Sequence, residues 1–215
     1  MEEPQLGDHS RVSRGFVSGI VFDPDPSKSP RFRRWLMLAL TVSPPTSTEY
    51  APYYERYLSL VAEKNVLPAL EEQLDEALAV LHAIPETQGN VRHPPYTWSI
   101  KEVVGHLIDC ERIMAYRALR FARNDPTALP AFEENDYVRF GDFDQCRLAD
   151  LITEFEFTRR SHLAMFRNWS EAAWQRRGVA NNTEVSVRAL AYIILGHTRH
   201  HLNIIKKRMA GKTSA

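Results

Sequence analysis

Ser186-Val187-Arg188-Ala189-Leu190-Ala191-Tyr192-Ile193-Ile194-Leu195-Gly196-His197-Thr198-Arg199-His200-His201-Leu202-Asn203-Ile204-Ile205-Lys206-Lys207-Arg208-Met209-Ala210 carries one amphipathic pattern from end to end. Leu190, Ile193, Ile194, Ile204 and Ile205 recur at three- and four-residue steps, the period of an α-helix with one buried face. Ser186 is a natural N-cap, Gly211 follows the last turn, and Lys206, Lys207 and Arg208 suit the negative end of the helix. His197 and His201 are four residues apart, so their imidazoles rise from one face, one turn above the other. Such a pair can grip a metal ion, and a reactive metal site usually adds a third protein ligand and keeps one position open.

Working back through the chain, three more helices carry comparable patterns. Leu67, Leu70, Leu74, Leu78 and Leu81 form a stripe behind Asn65, a cap that tolerates Pro68 in the first turn. Ser99-Ile100-Lys101-Glu102 is a capping box, with Trp98 placed to staple against Val103. The helix it opens runs through Leu107, Cys110, Met114 and Phe121 to Asn124-Asp125-Pro126. Leu148, Leu151, Ile152, Phe155, Phe166 and Trp169 mark the next, and Ser170 caps a short piece containing Trp174. The four principal helices are expected at about 66–84, 100–124, 147–169 and 187–209. Gly178 and Asn181-Asn182 read as turns, and no alternating strand pattern stands out. The fold class is therefore all-α: a four-helix bundle with a long connection between the second and third helices. That connection, 125–145, is long enough to be either a packed crossover or a lid over a pocket. Phe132, Tyr137, Phe140 and Phe143 are the residues expected to pin it.

Residues 1–48 read differently. Pro4, Pro24, Pro26, Pro30, Pro44 and Pro45 interrupt them, and their apolar residues keep no period. They are expected to be a disordered leader, with the bundle domain over 49–211. Trp35 to Val42, behind Arg31, Arg33 and Arg34, imitates a signal sequence, but it is too short and Ser43-Pro44-Pro45 is a poor cleavage site. No run reaches the roughly 18 apolar residues of a membrane span. Lys plus Arg and Asp plus Glu are both 27, so net charge gives no case for nucleic acid as the main partner. Two cysteines without a C-x-x-C point to a reducing compartment, and a cytoplasmic location is expected.

His106 lies beside the apolar stripe of the second principal helix. Alone it would read as a core histidine; with His197 and His201 it becomes the third ligand of a candidate metal site. Spacing leaves both readings open, as it does for surface or core histidines in general. His162 could be a fourth ligand, but the structural role is preferred. Several other chemistries are set aside, because H-E-x-x-H, Glu-x-x-His, G-x-S-x-G, a P-loop and G-x-G-x-x-G are all absent. Cys110 reads as a small core residue rather than a nucleophile.

Trp98-Ser99-Ile100-Lys101-Glu102-Val103-Val104-Gly105-His106-Leu107, Glu111-Arg112, Arg117-Ala118-Leu119-Arg120-Phe121-Ala122-Arg123, Ser186-Val187-Arg188-Ala189-Leu190, Gly196-His197 and His200-His201 together resemble the DinB-like family of metal-dependent four-helix proteins. The resemblance spans about residues 49–210. It implies one metal ligand on the second helix and two on the fourth, at His106, His197 and His201, holding one divalent ion, with zinc or nickel expected. It also implies an enzyme acting on a small molecule, as a hydrolase or as an S-transferase of a low-molecular-weight thiol. The alternative is a metal- or ligand-binding helical module without turnover. A homodimer is compatible with the resemblance; nucleic acid and membrane are not expected partners. The catalytic base is not identified by the sequence.

Overall fold

The computed structural model describes residues 40–211; of the leader expected over 1–48, residues 1–39 lie outside the described residues. A short helix, α1 (Glu55–Leu58), follows two single turns of 3-10 helix, Ser47–Glu49 and Pro52–Tyr54. The principal helices are α2 (Val66–His82), α4 (Ile100–Ala122), α6 (Leu148–Phe166) and α8 (Val187–Ala210). Between them stand α3 (Glu86–Gly89), α5 (Glu134–Phe140), α7 (Glu171–Trp174) and a hairpin, β1 (Arg177–Ala180) with β2 (Thr183–Ser186).

The caps sit where the side-chain chemistry demands. Ser99 Oγ accepts from the Glu102 amide at 3.0 Å, and the Glu102 carboxylate accepts from the Ser99 amide at 2.6 Å, so two of the orphan donors at the start of α4 are satisfied. Ser186 Oγ accepts from the Ala189 amide at 3.0 Å and starts α8, and Asn65 Oδ1 accepts from the Leu67 amide.

Helix α4 packs against α8 and α6, and α2 closes the square against the same two. The apolar residues form two clusters, one around Leu70, Phe121, Phe166, Trp174 and Ile193, the other around Leu81, Ile100, Leu107, Phe155 and Ile205. Following the chain, α2 and α8 run from the first cluster to the second, whereas α4 and α6 run from the second to the first. Since α4 and α6 point the same way, the chain between them has to travel back along the whole bundle. This is the physical reason for the long connection. At mid-height each helix has polar residues between its two apolar stretches, and these form a belt separating the clusters.

The returning segment is not structureless. Leu129 pairs with the hairpin, its amide donating to Val179 O at 2.9 Å and its carbonyl accepting from the Asn181 amide at 3.1 Å. Phe132 packs against the first cluster and Phe143 against the second. Phe143 lies over Gly105, where a Cβ would run into its ring. Phe140, expected to pin the segment, is instead 73% exposed, and Tyr137 also faces outward; α5 turns them away from the bundle.

The hairpin corrects the expectation that the chain has no strands. Arg177 pairs with Ser186 and Ala180 with Thr183. Asn181 and Asn182 both have positive φ, 50° and 58°, the pairing that a tight two-residue hairpin turn requires and that Asn tolerates. Gly178, expected to make a turn, lies within β1 and faces Phe121. Residues 40–48, expected to belong to the leader, lie against the bundle. Val42 is 3% exposed; its amide donates to Asn65 Oδ1 at 3.1 Å and its carbonyl accepts from the Tyr192 hydroxyl at 3.0 Å. No helix among the described residues is long and apolar enough to cross a membrane.

Candidate metal centre

The three sequence-selected histidines meet in the belt. His106 comes from α4, and His197 and His201 from successive turns of α8. One nitrogen from each ring lies within 4.8 Å of the others. His106 Nε2 faces His197 Nε2 at 3.0 Å, and the His201 ring centroid is 4.9 Å from that of His106 and 4.6 Å from that of His197. His106 is 3% exposed and His197 is also buried.

Burial makes these imidazoles poor bases. Removing the ring from water disfavours its charged form, and this alone takes His106 down to about 4. His197 and His201 are also held well below the usual histidine range, first by burial and then by repulsion from their neighbours. At neutral pH the triad is therefore three uncharged rings, each with a free lone pair. Two uncharged imidazoles facing nitrogen to nitrogen are satisfied either by one donating to the other or by both lone pairs turning to a shared cation. The donor set is the neutral nitrogen set that divalent transition metals take, so the residues fit a metal ion.

Local packing holds the rings in place. The Trp98 ring lies 4.8 Å from His106, and Arg208 of α8 donates to the Trp98 carbonyl at 3.0 Å. Tyr57 meets His197 edge-on at 5.1 Å and His200 at 5.5 Å. The approach of Tyr57 depends on Gly196, where any Cβ would collide with the Tyr57 carbonyl. His200, which shares the sequence run, stays outside the triad and half-buried.

A cavity of about 290 Å³ adjoins the triad, with Tyr54, Tyr57, Cys110, Arg117, Glu134 and His197 among its walls. The returning segment supplies Ala131 to Glu134, so it shapes the pocket as well as crossing the bundle. Cys110 Sγ lies 3.5 Å from His106 Nδ1. Burial, first, and nearby acidic groups push its thiol well above the usual range, so it is an uncharged neighbour of the triad. His162, considered as a fourth ligand, instead contacts Glu111 Oε1 at 3.3 Å. A metal-ligating imidazole usually donates its second ring N–H to a carboxylate, carbonyl or water, and Asp109 and Glu111 are the carboxylates nearest to His106 in sequence. Glu111 is taken up by Arg159 at 2.7 Å, and no hydrogen bond joins Asp109 to the triad among the described residues.

The DinB superfamily model matches residues 69–205, which include all three histidines. The chain belongs to the DinB superfamily. No curated protein sequence matches it. Among solved structures, it is similar in fold to YfiT from Bacillus subtilis, described as a probable metal-dependent hydrolase with an unusual four-helix bundle topology. The two share 14% identity at a TM-score of 0.58, over 80% of this chain and 94% of that one. It is also similar to the mycothiol-dependent maleylpyruvate isomerase, at 11% identity and a TM-score of 0.56, over 64% of this chain and 58% of that one. At these identities the likeness is one of fold. Residue spacing does not mark out Arg117, which lines the cavity, the buried Arg159–Glu111 pair, or Cys110 beside His106.

Proposed function

We propose that this chain is a metal-dependent enzyme in which His106, His197 and His201 hold one divalent ion, zinc or nickel. It acts on a small molecule, transferring a low-molecular-weight thiol to an electrophile or hydrolysing an activated bond. The observation that carries the reading is the convergence of three uncharged histidine nitrogens beside a cavity of about 290 Å³. When bound, such an ion lowers the pKa of a water or thiol that it carries and so supplies a nucleophile at neutral pH.

The chain's own residues do the rest. Three neutral rings leave the ion its full charge. Trp98 and Tyr57 pack on the rings and fix their orientation, and His197 presents the triad to the cavity. No side chain in the pocket is needed as nucleophile, which agrees with the raised thiol of Cys110. The relatedness to a thiol-dependent isomerase in fold and the small cavity both favour a small-molecule partner. Zero net charge and two free cysteines support a cytoplasmic location without a nucleic-acid partner.

The test is metal content of the full chain purified without a histidine tag. About one ion per chain is expected, as a single site requires. His106→Ala, His197→Ala and His201→Ala each lose most of it, while the exposed His82→Ala keeps it. Full occupancy in His197→Ala overturns the assignment. Turnover is read with a panel of thiols and electrophiles; equal rates in chelated and loaded protein leave a binding module in place of an enzyme.

A further inference from the structure

The cavity holds a charge that the triad does not use. Arg117 stands on α4 eleven residues beyond His106. Eleven residues make just over three full turns, so the two side chains leave the helix on the same side, about 16 Å apart along its axis. Cys110 and Met114 lie between them on that side. The Arg117 side chain lines the cavity and is only 4% exposed.

A guanidinium stays charged in any protein environment, and buried charges are normally paired. The other deeply buried arginines obey this in two ways. Arg159 has the carboxylate of Glu111, and Arg208 has the carbonyls of Val91, Arg92 and Trp98. Arg117 has much less. Its Nη2 donates to Pro130 O at 2.7 Å, its Nη1 contacts the Met114 sulfur at 3.8 Å, its guanidinium lies 5.7 Å from the Phe132 ring centre, and its polar side-chain neighbour in the cavity is the Tyr54 hydroxyl, which carries no charge to answer it. Among the described residues it takes part in no ion pair.

Carboxylates are close enough to line the same cavity, yet they do not answer it. Glu133 accepts from the Asn135 amide and side chain, at 3.2 Å and 2.9 Å, and caps α5. Glu134 makes no hydrogen bond or ion pair with Arg117. A planar fork of five N–H donors thus faces a volume of about 290 Å³ with no carboxylate to balance its charge.

We infer that Arg117 anchors a carboxylate of the molecule that the cavity takes, through the two-point contact that guanidinium and carboxylate form. The far end of that molecule then lies toward His197. The spacing along α4 selects acids whose carboxylate is separated from the reacting group by several bonds, over short acids in which the two are adjacent. The anchor itself stands on a buried guanidinium without a carboxylate partner; only the reaction at the far end rests on the metal reading proposed above. A purely structural Arg117 would hold the returning segment by Pro130 and Phe132 and would be indifferent to the charge of a ligand.

The test compares hexanoate with hexanamide, a neutral analogue of similar shape, by NMR titration of the chelator-treated full chain. Hexanoate is expected to bind at least about tenfold more tightly than hexanamide, the scale of a charge-assisted two-point contact. In Arg117→Met the preference falls to about one while hexanamide binding is retained. In Arg117→Lys, which keeps the charge without the fork and guards against misfolding of the methionine variant, part of the preference survives. Equal binding of both probes to the wild-type chain, or the same preference in all three proteins, overturns the inference. Metal content is measured on the same preparations before the chelator is added. An Arg117-dependent preference in protein that binds no metal keeps the anchor and removes the metal reading; one ion per chain without the preference does the reverse.

Discussion

Replacing Arg159 by Leu removes the centre of the mid-bundle belt, and its effect can be worked out from the contacts. Arg159 binds Glu111 at two points, Nε to Oε1 at 2.7 Å and Nη2 to Oε2 at 2.9 Å. It also donates to Gln73 Oε1, Leu70 O and Thr198 Oγ1, each at 3.2 Å. The two charged side chains are 1% and 2% exposed. The substitution strands the Glu111 carboxylate with only His162 beside it, and breaking a buried pair from one side costs about 3–5 kcal/mol. Three further acceptors lose a donor, so the upper end of that range is expected. For a chain of this size that is a fall in melting temperature of roughly 10–20 °C. The pH dependence is a sharper check. In the intact protein, burial raises the Glu111 carboxyl, but Arg159 and the His162 hydrogen bond outweigh it and hold the carboxyl below its ordinary 4.5. Its contribution is therefore present above pH 4.5 and lost as pH falls. Without Arg159 burial dominates, the folded-state value moves above 4.5, and stability falls as pH rises instead. The gap between the two proteins in urea unfolding should widen from pH 5 to pH 8, at unchanged m-value. Glu111→Leu combined with Arg159→Leu should be more stable than either single variant, since no charge is left stranded. A single-variant loss below about 1 kcal/mol, or a double variant equal to the sum of the singles, would refute this account of the belt.

Two further outcomes concern the chain before α2. Glu49 pairs with Arg188 at 2.7 Å; burial pushes its carboxyl up, but Arg188 and Thr46 outweigh this and bring it down to about 2 from 4.5. That stabilisation, up to about 3 kcal/mol, is complete above pH 4.5 and lost as pH falls toward 2. Glu49→Gln should then melt lower than the parent at pH 6, and the difference should shrink through pH 3; a constant difference contradicts the pairing. Deleting residues 1–39 should leave the melting temperature nearly unchanged, because their composition lacks an apolar stripe. Extending the deletion through 48 removes Val42 and should lower stability by about 2 kcal/mol, measured by urea unfolding; equal effects of the two deletions would show that residues 40–48 contribute nothing.

The helices were legible because their signals are local. Ser99 with Glu102, Asn65 before Leu67 and Ser186 before Ala189 each involve residues within one turn, and each cap forms as the spacing requires. The hairpin was not legible for the opposite reason. Its strands are four residues each, and their burial runs exposed to buried without alternating cleanly. They are held by Phe121 and by Leu129, fifty residues away in sequence, so the Asn181-Asn182 turn was the only local trace. Likewise Val42 finds Asn65 and Tyr192 only once the bundle exists. Phe140 failed as a core residue because an aromatic in a crossover carries no period to say which way it faces.

The site shows a different division. The spacing of His197 and His201 places them on one face of a helix, but His106 is 91 residues away; residue types made it a candidate third ligand, spacing left a core histidine equally open, and the family resemblance favoured the ligand. A signal for the height of the site was nevertheless present in every principal helix. Gln73 stands in register with Leu70 and Ala77, Glu111 with Leu107 and Ala115, Arg159 with Phe155 and Leu163, and Thr198 with Ile194 and Leu202. Each is a polar residue where the helical period calls for an apolar one. A lone interruption of that kind leaves a buried polar group unsatisfied, which a stable core does not tolerate. Four interruptions, one per helix and comprising one acid, one base and two neutral groups, satisfy one another only if all four lie at the same level. Setting the four stripes side by side at their interruptions would have aligned the helices in height and put His106 opposite His197 before any coordinates were known. It would also have shown Arg117 to be the odd charge, buried on α4 and, among the described residues, in no ion pair with the other principal helices.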